Sequence, residues 1–482
     1  VNVGDTLRSR LVAVGGWIVL GAAFAAQQST AQNSAQSSES QNAERQFQSA
    51  SAEYHAGQFT EAAAQLEDLR TRLPRSFEVR ELLGLSYAAL SQNEKAVAHL
   101  QIAVQLKPDS ATARTNLATA LFRVRKLDLA EVQFRKALTL EPRNFDAHHN
   151  LAEFYLQSNR IEAALPLLEQ AQRIDPSSYD NGYDLALAYY LTGRLGEARR
   201  MIQVIMPLKD TGELHNLLGQ IDEKDGDFLK AANEFETAAQ MDPSEDNLFA
   251  WGSELLLHRT YEPAIEVFHR ASQRYPNSPR LLIGLGMALY SRSRYEESIQ
   301  SLLAAADLDP ADPRCYRFLF KSYLSSPSHA NAVIERFRRY SELQPNNALA
   351  KYYYAVSLWK GRQLEASSVD FKLVQALLQR SIALDQTSAD AHLQLGILYA
   401  DQHDFDKSLP EYRRALELNP DLSDAHYRLG QYYVHAGQKD RAQQEFTVYQ
   451  KLEAQRLAIV DRERAQVQQF LYSAKSASSA KP

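Results

Sequence analysis

Pro74, Pro108, Pro142 and Pro176 stand 34 residues apart, and Pro243, Pro276, Pro310 and Pro345 continue at intervals of 33, 34 and 35. Gln386 takes the same place in "LDQTSADAH", and Pro420 follows 34 residues later. Self-similarity at a fixed period of this length means a stacked array, in which no unit buries its apolar face alone. Let the proline be slot 32 of a 34-residue unit. Slot 8 is then small: Ala50, Gly84, Ala118, Ala152, Ala186, Gly219, Ser253, Gly286, Ala355, Gly396 and Gly430, with Phe320 the exception. Slot 20 is also small, as at Ala62, Ala96, Ala130, Ala164, Ala198, Ala231, Ser298, Ser408 and Ala442. Slot 24 is large and apolar, from Leu66 and Leu100 to Tyr412 and Phe446. Slot 11 is often tyrosine, as at Tyr87, Tyr155, Tyr189, Tyr323, Tyr399 and Tyr433.

Slots 4, 7, 8 and 11 share one face of a first helix, and slots 20, 24 and 27 share one face of a second. Small residues at 8 and 20 allow the two axes to approach, and the large ones fill the space that remains. Gly57, Gly193, Gly226 and Gly437 fall between the helices, where the turn asks for a permissive backbone. The proline then blocks helical continuation. "NLAEFYLQSNRIEAALPLLEQAQRIDP" (150–176) and "HYRLGQYYVHAGQKDRAQQEF" (426–446) resemble the tetratricopeptide repeat. The resemblance covers residues 43–456. It implies an all-α fold: an α-solenoid, a right-handed superhelix of about twelve helical hairpins with a concave groove. Residues 313–388 are irregular, with Phe320 at a small slot, "SSPSHAN" in the turn and a longer unit around "GRQLEASSVDFKLV". A tolerated loop insertion is the expectation there, with a kink or a partner-specific protrusion as the alternative.

The ends read differently. Arg8 and Arg10 precede the apolar run of residues 11–26, and Ala23-Phe24-Ala25 follows as small-x-small, the layout of a signal peptide over 1–25. The run is short for a membrane span. Cleavage leaves no membrane attachment, and an uncleaved segment would act as an N-terminal anchor. Residues 26–42 are Gln/Ser-rich and read as a disordered linker, and 473–482 as a disordered tail. Residues 457–472, with Leu457, Val460, Val467 and Leu471 on about one face, read as a C-terminal capping helix, with a dimerising helix as the alternative. The formal charge of −6 argues against a general nucleic-acid binder. The single cysteine, Cys315, excludes an internal disulfide and any Cys-rich zinc site.

"DAHHNLAEFY" (146–155) sets His149 and Glu153 on one helical face. His148, His215, His392 and His426 all occupy slot 4, so they are copies of one position spaced along the array and do not converge on a metal. His149 and Glu153 alone are too few for a structural zinc site. The chain has no HExxH, no phosphate loop and no dinucleotide fingerprint on a strand. Cys315 reads as a packed thiol. No cofactor, metal or catalytic residue is expected.

Binding is expected along the first helices. Slots 2, 6, 9 and 13 form a stripe beside the packing face, and slot 6 reads Asn116, Asn150, Asp184, Leu217, Trp251, Gly284, Phe318, Tyr353, Gln394 and Arg428. Asn116, Asn150 and Asp184 form a polar ladder that can hold a peptide backbone, since amides both donate and accept. It resembles the asparagine ladder in the repeat region of O-linked N-acetylglucosamine transferases. Trp251, Phe318 and Tyr353 are expected as aromatic anchors, followed by Gln394 and Arg428. The leading expectation is a non-catalytic protein–protein interaction scaffold for extended segments, periplasmic or secreted. The alternatives are an accessory subunit of envelope assembly (polysaccharide export or outer-membrane biogenesis) and, last, an enzyme. The sequence assigns no oligomeric state.

Overall fold

The computed structural model describes residues 32–361 and 370–457, and among these every regular element is a helix. The chain divides into two compact units, Val1–Asp210 and Thr211–Pro482. The described part of the first holds five antiparallel hairpins, from Gln32–His55 with Phe59–Arg72 to Tyr179–Leu191 with Leu195–Ile205. The second holds seven, from Gly212–Asp225 with Phe228–Met241 to Ser423–His435, whose partner is the helix at 439–457. The signal peptide, the tail and all of the capping segment beyond Leu457 lie outside the described residues. So does the inserted stretch 362–369. No described helix is long and apolar enough to cross a membrane.

The hairpins form for local reasons. Most first helices open on a side-chain cap: Ser110 accepts from the amide of Ala113 at 3.1 Å, and Asn144 from that of Ala147 at 3.0 Å. Inside the hairpin the size rule is a steric fit. A Cβ on Gly84 would sit 2.6 Å from Leu100 Cγ, and one on Gly286 would sit 2.5 Å from Leu302 Cγ. Each described turn between paired helices has one residue in the left-handed region. Gly57, Gly193, Gly226 and Gly437 supply it, but so do Ser91, Arg125, Asn159, Arg259, Ser293, His329 and His403. The last seven give no glycine signal in the sequence.

Successive hairpins are stitched by polar contacts. The slot-4 side chain reaches back to the carbonyl of the preceding repeat's proline: Arg114 Nε to Pro108 O at 2.9 Å, Tyr316 Oη to Pro310 O at 3.0 Å, and His148 and His426 Nε2 to Pro142 and Pro420 O at 3.0 Å. The slot-11 tyrosine donates to a glutamate on the preceding second helix, as in Tyr87–Glu67 at 2.7 Å and Tyr189–Glu169 at 2.9 Å. An arginine at 4.4 Å (Arg194) covers the Tyr189 ring.

Two expectations change. First, helix starts at Gln32, so only 26–31 of the proposed linker lies outside the described residues. Ala43 and Ala50 are buried, and once this packed segment is helical, adding residues at its N-terminal end is cheap. Second, the repeat after Pro243 is shifted by one. Its first helix begins at Glu245 directly after Ser244, one residue sooner after the proline than elsewhere. The small slot 8 is therefore Gly252, whose Cβ would meet Phe268 at 2.8 Å, and not Ser253. The same shift places buried Ala264 at slot 20 and Phe268 at slot 24. The irregular repeats are built as hairpins like the rest. Phe320 at slot 8 meets Phe337 edge-on, with ring centroids 6.1 Å apart. In the next repeat Val374 and Leu378 fill slots 20 and 24, so the extra length falls between its helices.

Candidate functional site: the first-helix stripe

In the first unit the stripe is largely closed. Asn116 is half-buried and donates from Nδ2 to Glu81 Oε1 at 3.2 Å, one repeat back. Burial raises the Glu81 carboxyl, and the Asn116 bond opposes that. Asn150 is 7% exposed and Asp184 5%. Slot 5 takes part as well. His149 Nδ1 lies 3.2 Å from Asn181 Oδ1, while Asn181 Nδ2 donates to Leu168 O at 3.1 Å and to Gln172 Oε1 at 2.8 Å. The asparagine amide nitrogen is already used, so its oxygen accepts and His149 carries its proton on Nδ1. Glu153 instead accepts from Gln157 at 3.1 Å. His149 and Glu153 are thus engaged separately. No group of three or more His, Cys, Asp or Glu among the described residues could hold a metal.

Slot 4 histidines have their own partners within the hairpin. His392 Nδ1 lies 2.6 Å from Glu411 Oε2, and His426 Nδ1 2.6 Å from Glu445 Oε2. Slot 23 supplies both glutamates. In the repeat of His148 that slot is Leu167, which leaves His148 Nδ1 buried without an acceptor or donor. Cys315 is fully buried with Sγ 3.1 Å from Asp312 O, and burial together with Asp312 and Asp309 pushes its thiol up to about 12. Such a thiol is inert.

The second unit treats the stripe differently. Leu217 is buried, and Gly284 is closed off by Phe268, 2.5 Å from where its Cβ would be. Trp251 belongs to slot 7 by the corrected register and is half-buried. Tyr353 is corrected from an exposed anchor to a core residue, 8% exposed, with its ring 4.5 Å from Phe320 and 5.7 Å from Phe337. A tyrosine is drawn inward here because the bulky Phe320 holds the hairpin open beside it. Phe318 stays half-buried, edge-on to Tyr290 at 5.9 Å, with Lys321 Nζ 5.5 Å from its ring centroid. Arg317 and Lys321 beside it are exposed. Gln394 is half-buried.

Arg428 lines a pocket of about 470 Å³ between the hairpin Ala389–Leu418 and the helix Ser423–His435. Ile397, Asp401, Tyr412, Gln431 and His435 share its wall. Ile397, Gln431, Asp401 and His435 occupy slots 9 and 13 of the same stripe, so the helical face announced them. Tyr412 comes from the second helix at slot 24, and no single-helix periodicity brings it to Arg428.

Models of the tetratricopeptide repeat match residues 47–111, 115–179, 249–313 and 393–455, and another matches 159–221. No curated protein sequence matches the chain. Among solved structures it is similar to YrrB, described as a TPR protein with an unusual peptide-binding site, at 19% identity over 38% of this chain and 96% of that one, with a TM-score of 0.32. PilF of Pseudomonas aeruginosa is 20% identical over 42% of this chain and 94% of that one, with a TM-score of 0.37. The Cut9–Hcn1 assembly of the APC/C is 14% identical over 90% of this chain and 93% of that one, with a TM-score of 0.38. With its period, its small-on-large hairpins and family-model matches over more than half its length, the chain belongs to the tetratricopeptide repeat family.

Proposed function

We propose that the chain is a non-catalytic scaffold that grips an extended segment of a partner protein along first-helix faces of its second unit. Repeats of this family generally serve as protein-binding scaffolds. One observation carries the reading to particular residues: Phe318 lies half-open on its helix, between the exposed cations Arg317 and Lys321. Aromatic and arginine side chains left on a surface are the usual anchors of an interface. The ladder of Asn116, Asn150 and Asp184 supports the binding of a backbone less well, since its members are buried or half-buried and Asn116 is held by Glu81.

Export to the periplasm or the exterior goes with this reading and rests on the layout of residues 1–25. Protease protection in fractionated cells tests it, and a chain found wholly in the cytoplasm would overturn it. For the binding itself, short random peptides displayed on phage are selected on the full chain. Enriched peptides should bind reversibly and lose about tenfold in affinity to Phe318→Ala. If nothing is enriched, the scaffold reading is wrong; if Phe318→Ala leaves affinity unchanged, its placement at this helix is wrong.

A further inference from the structure

We infer that the groove at Leu289 is a socket for a tyrosine side chain of a partner protein, on the second-helix side of its hairpins and apart from the first-helix stripe. It measures about 680 Å³ and lies between the second helices Tyr261–Arg274 and Tyr295–Leu308, over the first helix Pro279–Ser291. Its floor is apolar, made by Ile265, Leu285 and Leu289. Leu289 occupies slot 11, where Tyr87, Tyr155, Tyr189, Tyr323, Tyr399 and Tyr433 stand in six other repeats.

The repeat of Tyr189 shows what such a groove holds when it is full. The slot-16 arginine, Arg194, lies 4.4 Å from the Tyr189 ring centroid. The hydroxyl donates at 2.9 Å to Glu169, at slot 25 of the preceding repeat. Arg194 is steadied in turn by the slot-19 Glu197 at 3.3 Å. The repeat of Tyr155 uses the same arginine slot, with Arg160 4.5 Å from the ring. The third slot-16 arginine is Arg294, and the slot-19 Glu297 accepts from it twice, at 2.7 and 2.6 Å. Arg294 lines the groove, as does His269 at slot 25. The cation and its anchor are thus kept, while the ring they cover elsewhere is missing. Leu121, Leu255 and Leu358 also fill slot 11, but slot 16 of their repeats is Lys126, Thr260 and Asp370. Leucine therefore meets a slot-16 arginine at this hairpin alone. A partner's phenol ring would lie against the Arg294 guanidinium and on the apolar floor. Glu262 and Glu266 at the rim each give one oxygen to an arginine, which leaves acceptor sites for the phenol O–H.

Saturation-transfer NMR on the full chain tests this, with N-acetyl-tyrosinamide, N-acetyl-phenylalaninamide and N-acetyl-leucinamide as probes. The tyrosine probe should bind saturably, at millimolar concentration. The phenylalanine probe should bind about fivefold more weakly for want of the hydroxyl, and the leucine probe more weakly still. Leu289→Tyr puts the chain's own ring into the groove, as at Tyr189. It should remove the saturable binding and melt no lower than the parent chain. Arg294→Gln alters an exposed side chain and should weaken the tyrosine probe about threefold. Arg414→Gln, a matched loss of charge on another second helix, where Arg414 pairs with Glu417, should change nothing. Circular dichroism of each variant checks that the hairpins remain folded. The socket is overturned by no saturable transfer up to about 10 mM, by equal affinity for the leucine probe, by transfer that survives Leu289→Tyr, or by full affinity in Arg294→Gln. A lower melting point for Leu289→Tyr would overturn it too, because the groove would then not fit the ring. None of these results bears on the scaffold reading, which is tested at Phe318.

Discussion

The hairpins Ala389–Leu418 and Pro313–Leu343 close by opposite means. In the former, Gly396 makes room for Tyr412, and a Cβ on the glycine would sit 2.7 Å from that ring. In the latter, Phe320 takes the glycine's place and faces Phe337, with Val333 where alanine or serine is usual. Rings from the surrounding helices occupy the space that this separation creates. Tyr316 stacks on Tyr340 at 3.9 Å, and Tyr353 of the next repeat packs on Phe320 at 4.5 Å. The size rule is therefore a constraint on the volume shared by two slots and their neighbours, and no slot is bound to be small. The widened hairpin draws Tyr353 out of the binding stripe, whereas the tight one leaves Arg428 at the edge of an open pocket.

Phe320→Ala should test this most severely. It removes a ring on which three others rest, and a loss of about 4 kcal/mol is expected for an aromatic cut to alanine in a core. Stacked repeats can open locally, so hydrogen exchange across 313–361 is the measurement, and an unaltered rate would show that the ring is dispensable. Gly396→Leu is the converse. It overfills the tight hairpin and should cost about 3 kcal/mol, read as faster exchange in 389–418.

The hairpin at Glu245 sharpens the comparison by charge. Glu254 is 3% exposed at a slot that is apolar in Ile221 and Ala288, and burial and Glu223 push its carboxyl up to about 7. His258 Nε2 lies 3.2 Å away, with its own proton affinity lowered by burial. In the unfolded chain the carboxyl ionises near 4.3. The folded form thus holds the extra proton between that value and about 7, and its stability falls as pH rises through this window. Glu254→Gln should flatten that slope. Its gain should be up to about 4 kcal/mol at pH 8 and near zero at pH 4, followed by urea unfolding at both pH values. The smallest effect belongs to Arg259, a non-glycine residue at φ 59°. Arg259→Gly should stabilise by about 0.5 kcal/mol, and a loss of stability would mean that the side chain compensates for its backbone.

Much of this was legible in the chain itself, because the helices answer to periodicity. The proline spacing marked the hairpins, and slots 8, 20 and 24 marked their packing faces. The errors fall where periodicity is silent. A one-residue deletion after Pro243 moved Trp251 from slot 6 to slot 7 while leaving the 33-residue spacing unremarkable. The burial of Asn150 and Asp184 depends on the neighbouring hairpin, which no single repeat encodes. The stripe named Arg428 and its face, but the pocket also needs Tyr412, 16 residues earlier on another helix.

Cys315 has a practical consequence. The chain's only sulfhydryl is sealed in the interior with its proton firmly held. Maleimide dyes and spin labels should therefore ignore the native protein. A single cysteine introduced at the mouth of any groove would be the one reactive point, and its signal would report occupancy without background.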